Sequence, residues 1–276
     1  MDDTNARAGL EHSATFSMIT AMSQSVSNKH ADLPFMTDVP STILDGSLSR
    51  VSFYTDDMMA RFRTAIPQYH TTDSGEIILY IEGHEIMASY QRPYMQALAD
   101  IVTRKGGDIL NIGYGLGLLD AAIEQYRSSR AIGAHFVIEI NEHIAACARS
   151  VPHLTVLNAD WNTGLDQLGG HCFDGVVYDG FPLSFDTVHR DGVIFIDALV
   201  RRGLLASDGI LTFFVDAVDT LGEEFRAFLN CRGLQCTDIT RVPVEVPCRT
   251  RQTWQQDYFL APIVRRIARD EFALEK

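Results

Sequence analysis

Two stretches of the chain carry side chains whose types and spacing suit group-transfer chemistry. The first is Asp108-Ile109-Leu110-Asn111-Ile112-Gly113-Tyr114-Gly115-Leu116-Gly117, an apolar run ending in Gly-x-Gly-x-Gly and leading into an amphipathic segment. Glycine permits a tight turn and lets backbone approach a ligand closely. Many such turns are purely structural, so the next carboxylate matters. Glu139 closes the following apolar run, 22 residues after Gly117, where a carboxylate can hold both hydroxyls of a ribose. A dinucleotide fingerprint asks for glycine at the sixth position, which is Leu118 here. The loop therefore fits a nucleoside ligand without pyrophosphate, S-adenosylmethionine, better than a dinucleotide. Asp160 and Trp161 follow the next strand, where an adenine edge and face could be met. Trp161 suits a core aromatic equally well.

The second stretch is Asp174-Gly175-Val176-Val177-Tyr178-Asp179-Gly180-Phe181-Pro182. It places Asp179 at the carboxyl end of a buried strand, beside the expected reactive end of the cofactor. A carboxylate there suits a nitrogen acceptor. Guanidinium is planar, cationic and rich in donors, and a carboxylate pairs with it bidentately. Its pKa lies above ~12, so it has no free lone pair at neutral pH. A desolvated carboxylate can orient it, localise its charge and take its proton. A loop cap is the plainer role for the same aspartate.

These residues need a scaffold of strands that deliver them to one edge. A short strand is expected at Ile77–Ile81, and a helix at Tyr94–Thr103 with Pro93 at its start. Strand and helix then alternate. The expected strands are Asp108–Ile112, His135–Ile140, Leu154–Ala159, Phe173–Asp179 and Gly209–Asp216. The expected helices are Leu116–Tyr126, Glu142–Arg149, Asp191–Arg202 and Glu223–Asn230. Two last strands, near Thr237–Val246 and Asp257–Val264, have no helix between them. This is an α/β pattern: a mostly parallel sheet covered on both faces, with an antiparallel pair at one edge. Residues 1–50 lack strong periodicity and read as an extension, with room for a short helix near Thr15–Met22. Residues 51–70 place Phe53, Tyr54, Met58, Met59, Phe62 and Tyr69 at helical intervals, as a helix packed on the core or a lid.

The formal net charge of −13 argues against nucleic acid as a partner and is compatible with a cationic ligand. No apolar run reaches the ~20 residues of a membrane span. The start Met1-Asp2-Asp3 lacks the basic opening of a secretory signal. Five cysteines without a CxxC spacing fit reduced thiols in the cytoplasm, and the scattered histidines suggest no metal.

From about Ile86 to Val264 the chain resembles the guanidinoacetate methyltransferase family, which includes arginine Nδ-methyltransferases. The resemblance rests on Met87-Ala88-Ser89-Tyr90-Gln91-Arg92-Pro93-Tyr94-Met95-Gln96-Ala97-Leu98, the glycine loop with Asn111, and Ile138-Glu139-Ile140-Asn141. It continues through residues 173–184, Asp208-Gly209-Ile210-Leu211-Thr212 and the 258–264 segment. It implies a Rossmann-like fold of seven strands; with residues 1–50, outside the resemblance, as an N-terminal extension, the chain divides into that extension, a lid and acceptor-binding segment (51–106) and a cofactor-binding core (107–276). It implies S-adenosylmethionine as cofactor and S-adenosylhomocysteine as product. The positions matching cofactor contacts are Met95, the run Leu116, Gly117, Leu118 to Ala121, then Glu139, Ile140, Asn141, Ala159 and Asp160; Gly113 and Gly115 of the glycine loop and Trp161 join them as cofactor candidates from the loop and strand pattern. Those matching acceptor contacts are Met87, Gln91, Asp179, Gly180, Asp216 and Ala217, with Asp179 catalytic. The family's usual glutamate is Gln91 here, which brings no charge. A second anion then has to come from Glu82, Glu85 or Asp216. The family's usual threonine after the catalytic aspartate is Gly180, which leaves room for a longer acceptor. Both departures point to free L-arginine as the acceptor. A cytoplasmic enzyme is expected, a homodimer like many small-molecule enzymes of this fold, with a bacterial natural-product pathway as one setting. Guanidinoacetate, protein arginine and a non-catalytic cofactor scaffold are the rival readings.

Overall fold

A computed structural model describes residues 56–180, 188–215, 221–248, 250 and 256–267. The expectations for Thr15–Met22, Phe53, Tyr54, Asp216 and Ala217 lie outside these residues. The chain opens with α1 (Asp56–Thr64), then β1 (Gln68–Thr71), β2 (Ile77–Ile81) and β3 (His84–Ala88), which form a small antiparallel sheet in the order β1-β2-β3. A 3-10 turn (Ser89–Gln91) leads into α2 (Arg92–Thr103). The remaining elements are β4 (Gly107–Ile112), α3 (Leu118–Tyr126), β5 (Ile132–Glu139), α4 (Glu142–Arg149), β6 (Leu154–Asn158) and α5 (Trp161–Gln167). They continue with β7 (Phe173–Tyr178), α6 (Val188–Arg201), β8 (Leu205–Phe213), α7 (Glu223–Cys231), β9 (Leu234–Pro243) and β10 (Tyr258–Arg266).

The main sheet has seven strands in the order β6-β5-β4-β7-β8-β10-β9. The first five run parallel, and β10 pairs antiparallel with both β8 and β9. The expected Rossmann-like architecture with an antiparallel edge is therefore present. One face is covered by an aromatic cluster including Phe173, Phe195, Phe213, Phe225 and Phe228. The other is covered by α2, whose buried stripe Tyr94, Met95, Leu98, Ala99, Ile101 and Val102 follows helical spacing.

Three differences from the expected elements have local causes. The helical pattern of residues 51–70 stops at Thr64, because Pro67 disfavours helical backbone at Ile66, and Tyr69 lies in exposed β1. Helix α3 starts at Leu118 and not at Leu116. Gly117 takes the left-handed conformation at φ 69°, and a Cβ there would stand 2.6 Å from the Tyr114 ring. Helix α5 was not expected at all. It is initiated by Asp160, whose carboxylate accepts from the Thr163 amide at 3.0 Å.

Candidate active site

The carboxyl ends of β4, β5, β6 and β7 meet at one edge of the sheet, and the glycine loop turns over it. Glu139, at the end of β5, is only 5% exposed. Its Oε2 accepts from the Tyr114 amide of the glycine loop at 2.9 Å, and its Oε1 accepts from the Asn141 amide at 2.7 Å. Desolvation raises its carboxyl above the ordinary value, and the amides of Tyr114, Asn141 and Gly115 oppose that shift. These two bonds hold the carboxylate against the glycine loop. Asn158 donates to the carbonyls of Glu139 and Ile140 at 2.9 and 3.0 Å, pinning the same strand end from β6.

A buried polar group lies under the loop. Asn111 of β4 donates through Nδ2 to both oxygens of Asp120 at 3.1 Å, joining the strand before the loop to the helix after it. His135 of β5 stands 3.0 Å from the same carboxylate. All three side chains are buried. Sequence reading passed over this role for Asp120. An acidic residue on the buried side of the helix directly after a glycine loop was the available sign. Tyr114 lies close by, its hydroxyl pushed up to about 12 by burial first and by Asp120 second.

Asp179 follows β7, and its amide donates to the Ile112 carbonyl at 3.3 Å. Desolvation pushes its carboxyl up to about 7. Tyr94, fully buried beside it, donates its hydroxyl to the Leu260 carbonyl at 3.2 Å. The Tyr94 hydroxyl is raised well above its usual value by burial and then by the Asp179 charge. Among the described residues, a Cβ added at Gly180 would lie nearest the Tyr178 ring, at 3.5 Å, an ordinary contact.

The remaining candidates divide. Met87 touches the glycine loop, where its Sδ accepts from the Leu116 amide at 3.4 Å. Gln91 spends its Oε1 on the Ala88 amide at 2.9 Å, closing the 3-10 turn. Met95 and Leu118 are buried in the core beneath the loop. Ala159 is buried, and its amide donates to the Glu139 carbonyl at 3.2 Å. Asp160 caps α5 and faces Arg63 at 3.9 Å. Trp161 is partly buried and packs edge-on against Phe195, with ring centroids 5.7 Å apart. Glu82 is exposed and faces Arg61 at 3.9 Å. Glu85 is half-buried in β3.

A family description, guanidinoacetate N-methyltransferase, matches residues 51–227. The chain belongs to this family. Among curated relatives it is similar to protein arginine N-methyltransferase 2 of Yarrowia lipolytica, at 28% identity over 52% of this chain and 31% of that protein. It is also similar to the protein of the same name from Candida glabrata, at 27% identity over 64% of this chain and 44% of that protein. The chain thus spans less than half the length of these relatives. Among solved structures, M. jannaschii TYW2 in complex with AdoMet aligns with a TM-score of 0.45 and 11% identity, covering 74% of this chain and 88% of that one.

S-adenosylmethionine is the cofactor of this guanidinoacetate N-methyltransferase family member, and the residues fit it. Glycine lets the loop pack closely on β3: a Cβ on Gly115, at φ 55°, would stand 3.0 Å from Met87 Sδ. Among the described residues no group of three or more His, Cys, Asp or Glu side chains is placed to hold a metal ion. No described helix is long and apolar enough to cross a membrane.

With Asp179 as the acceptor-binding carboxylate, its raised carboxyl is expected to set a pH dependence. A carboxylate that binds a cation and takes a proton must be ionised, and the guanidinium does not titrate below ~12. The kcat/KM for a guanidino acceptor should therefore fall about tenfold per unit as pH drops below about 7, and level off above it. A profile flat from pH 5.5 to 8.5 would remove Asp179 from the rate equation.

Proposed function

We propose that this protein transfers a methyl group from S-adenosylmethionine to a guanidino nitrogen of free L-arginine, with Asp179 as the carboxylate that binds the acceptor. The observation that carries this reading is the state of Asp179. Its carboxyl stands at the carboxyl end of β7 on a half-buried residue, and burial pushes it up to about 7 with no opposing cation among the described residues. A carboxylate held in that way is stabilised by an incoming cation, and guanidinium is the cation whose shape it matches.

The cofactor supplies an electrophilic methyl group when bound. Glu139 would hold its ribose diol, with the glycine loop and Asn141 fixing the carboxylate. Asp179 would orient the guanidinium, concentrate its charge away from the attacking nitrogen, and accept the proton that nitrogen loses. Positioning and a dry carboxylate supply most of the rate in such a step. Gly180 leaves space beside Asp179 for an acceptor longer than guanidinoacetate.

A second reading, methylation of arginine in a protein, is favoured by the names of the two fungal relatives. One assay separates the readings: S-adenosylhomocysteine release with L-arginine, guanidinoacetate and an arginine-containing peptide. L-arginine is expected to give the highest kcat/KM. Gly180→Thr should lower the value for L-arginine by about tenfold, the loss of a fitted contact, and spare guanidinoacetate. Preference of the wild type for the peptide would replace the free amino acid by a protein acceptor. Absence of turnover with all three would leave a cofactor-binding scaffold.

A further inference from the structure

We infer that Asn141 is a positioning residue that couples the seating of α1 to the carboxylate under the cofactor ribose. Its backbone amide donates to Glu139 Oε1 at 2.7 Å. Its Nδ2 donates to the carbonyls of Phe62 and Ala65, at 2.8 Å each, at the end of α1. Its Oδ1 accepts from the amides of His143 and Ile144, both at 3.1 Å, as the N-cap of α4. The residue is completely buried, so each bond is made without competition from water.

The geometry makes this one residue a rigid link. A helix leaves its last carbonyls without partners inside the helix, and here one planar amide supplies two donors to the end of α1. The orientation of that amide is set by its other end, which caps α4. Its backbone is set by Glu139. A shift of the Glu139 carboxylate therefore reaches α1 through a single residue. The packing runs the same way. Phe62 of α1 clusters with Leu79, Ile81 and Ile144, and Tyr114 and Leu116 of the glycine loop pack against that cluster. Seating α1 (Asp56–Thr64) and ordering the cofactor loop are thus one event. This inference rests on the reading of Glu139 as the ribose ligand.

The test uses Asn141→Ser and Asn141→Asp in the full chain. Serine and aspartate both retain an N-cap oxygen for α4. Serine can supply only one donor to the α1 carbonyls, and ionised aspartate none. Hydrogen exchange is followed with and without saturating S-adenosylhomocysteine. In the wild type, the ligand should slow exchange in residues 56–66 by at least about fivefold. That slowing should shrink in Asn141→Ser and vanish in Asn141→Asp, with α4 as protected as before in both. Retained slowing in both variants would overturn the proposal. So would loss of α4 protection in both, because Asn141 would then be a cap alone. Glu139→Gln, titrated with S-adenosylhomocysteine in parallel, keeps the two readings apart. Unchanged affinity there sinks the ribose assignment, whereas ligand-insensitive α1 exchange in the wild type sinks the coupling.

Discussion

Asp179→Asn is expected to lower kcat by roughly 10²–10⁴, the range of a lost general base, while cofactor affinity stays nearly unchanged. Asparagine keeps the shape and one acceptor oxygen, so the β7 end and its backbone bond to Ile112 remain. What it removes is the charge that holds guanidinium and the site that takes its proton. The desolvation that pushes Asp179 up to about 7 makes the carboxylate a stronger base than one in water. The acid limb in kcat/KM near pH 7 should disappear with it. Single-turnover rates together with calorimetric cofactor titration separate the chemical step from binding. Near-wild-type turnover in the asparagine variant would remove the proposed mechanism, whatever the acceptor.

The second large effect concerns the cofactor. Glu139→Ala should weaken S-adenosylmethionine binding by about 2–3 kcal/mol, the value of a hydrogen-bonding charged group. The structure gives a reason to expect the upper part of that range. Glu139 is an acceptor for Tyr114 and Asn141 amides as well, so its removal leaves two donors to be satisfied by water and loosens the loop. Glu139→Gln should fall between wild type and alanine, since one oxygen is kept. Calorimetry that finds unchanged affinity in a folded Glu139→Ala protein would rule out the ribose role.

The parts of this site that sequence could reveal are those marked by abrupt changes in residue type. Glu139 and Asp179 stand at the ends of apolar strands, and the glycine loop interrupts a strand and a helix. Elements held by weaker patterns were not legible. β1 reads Gln68-Tyr69-His70-Thr71 and is exposed along its length, so it has no alternation to detect. It exists because β2 offers it a pairing edge. α5 contains Asn162, Thr163 and Gly164, poor helix formers, and depends on the Asp160 cap. Gln91 stands at a family acceptor position, yet its carbonyl oxygen is committed to the Ala88 amide. That bond follows from a 3-10 turn whose closure no spacing rule reports. Met95 matches a cofactor position in the family and is nevertheless buried at 1% exposure, because the helical stripe that carries it is also the core face of α2.

The place of β10 has a consequence for how the protein is made. This strand follows β9 in the sequence but lies between β8 and β9 in the sheet. Chains leave the ribosome N-terminus first and their domains fold as units. Leu205–Phe213, buried over its second half, must therefore wait with one open edge until Tyr258–Arg266 has been synthesised. An unpaired apolar edge is a template for association with other chains. A transcript truncated after β9 would yield an aggregating product and not a smaller enzyme. Slow translation of the segment that carries β10 would have the same effect for as long as it lasted, so the yield of folded protein depends on when β10 arrives.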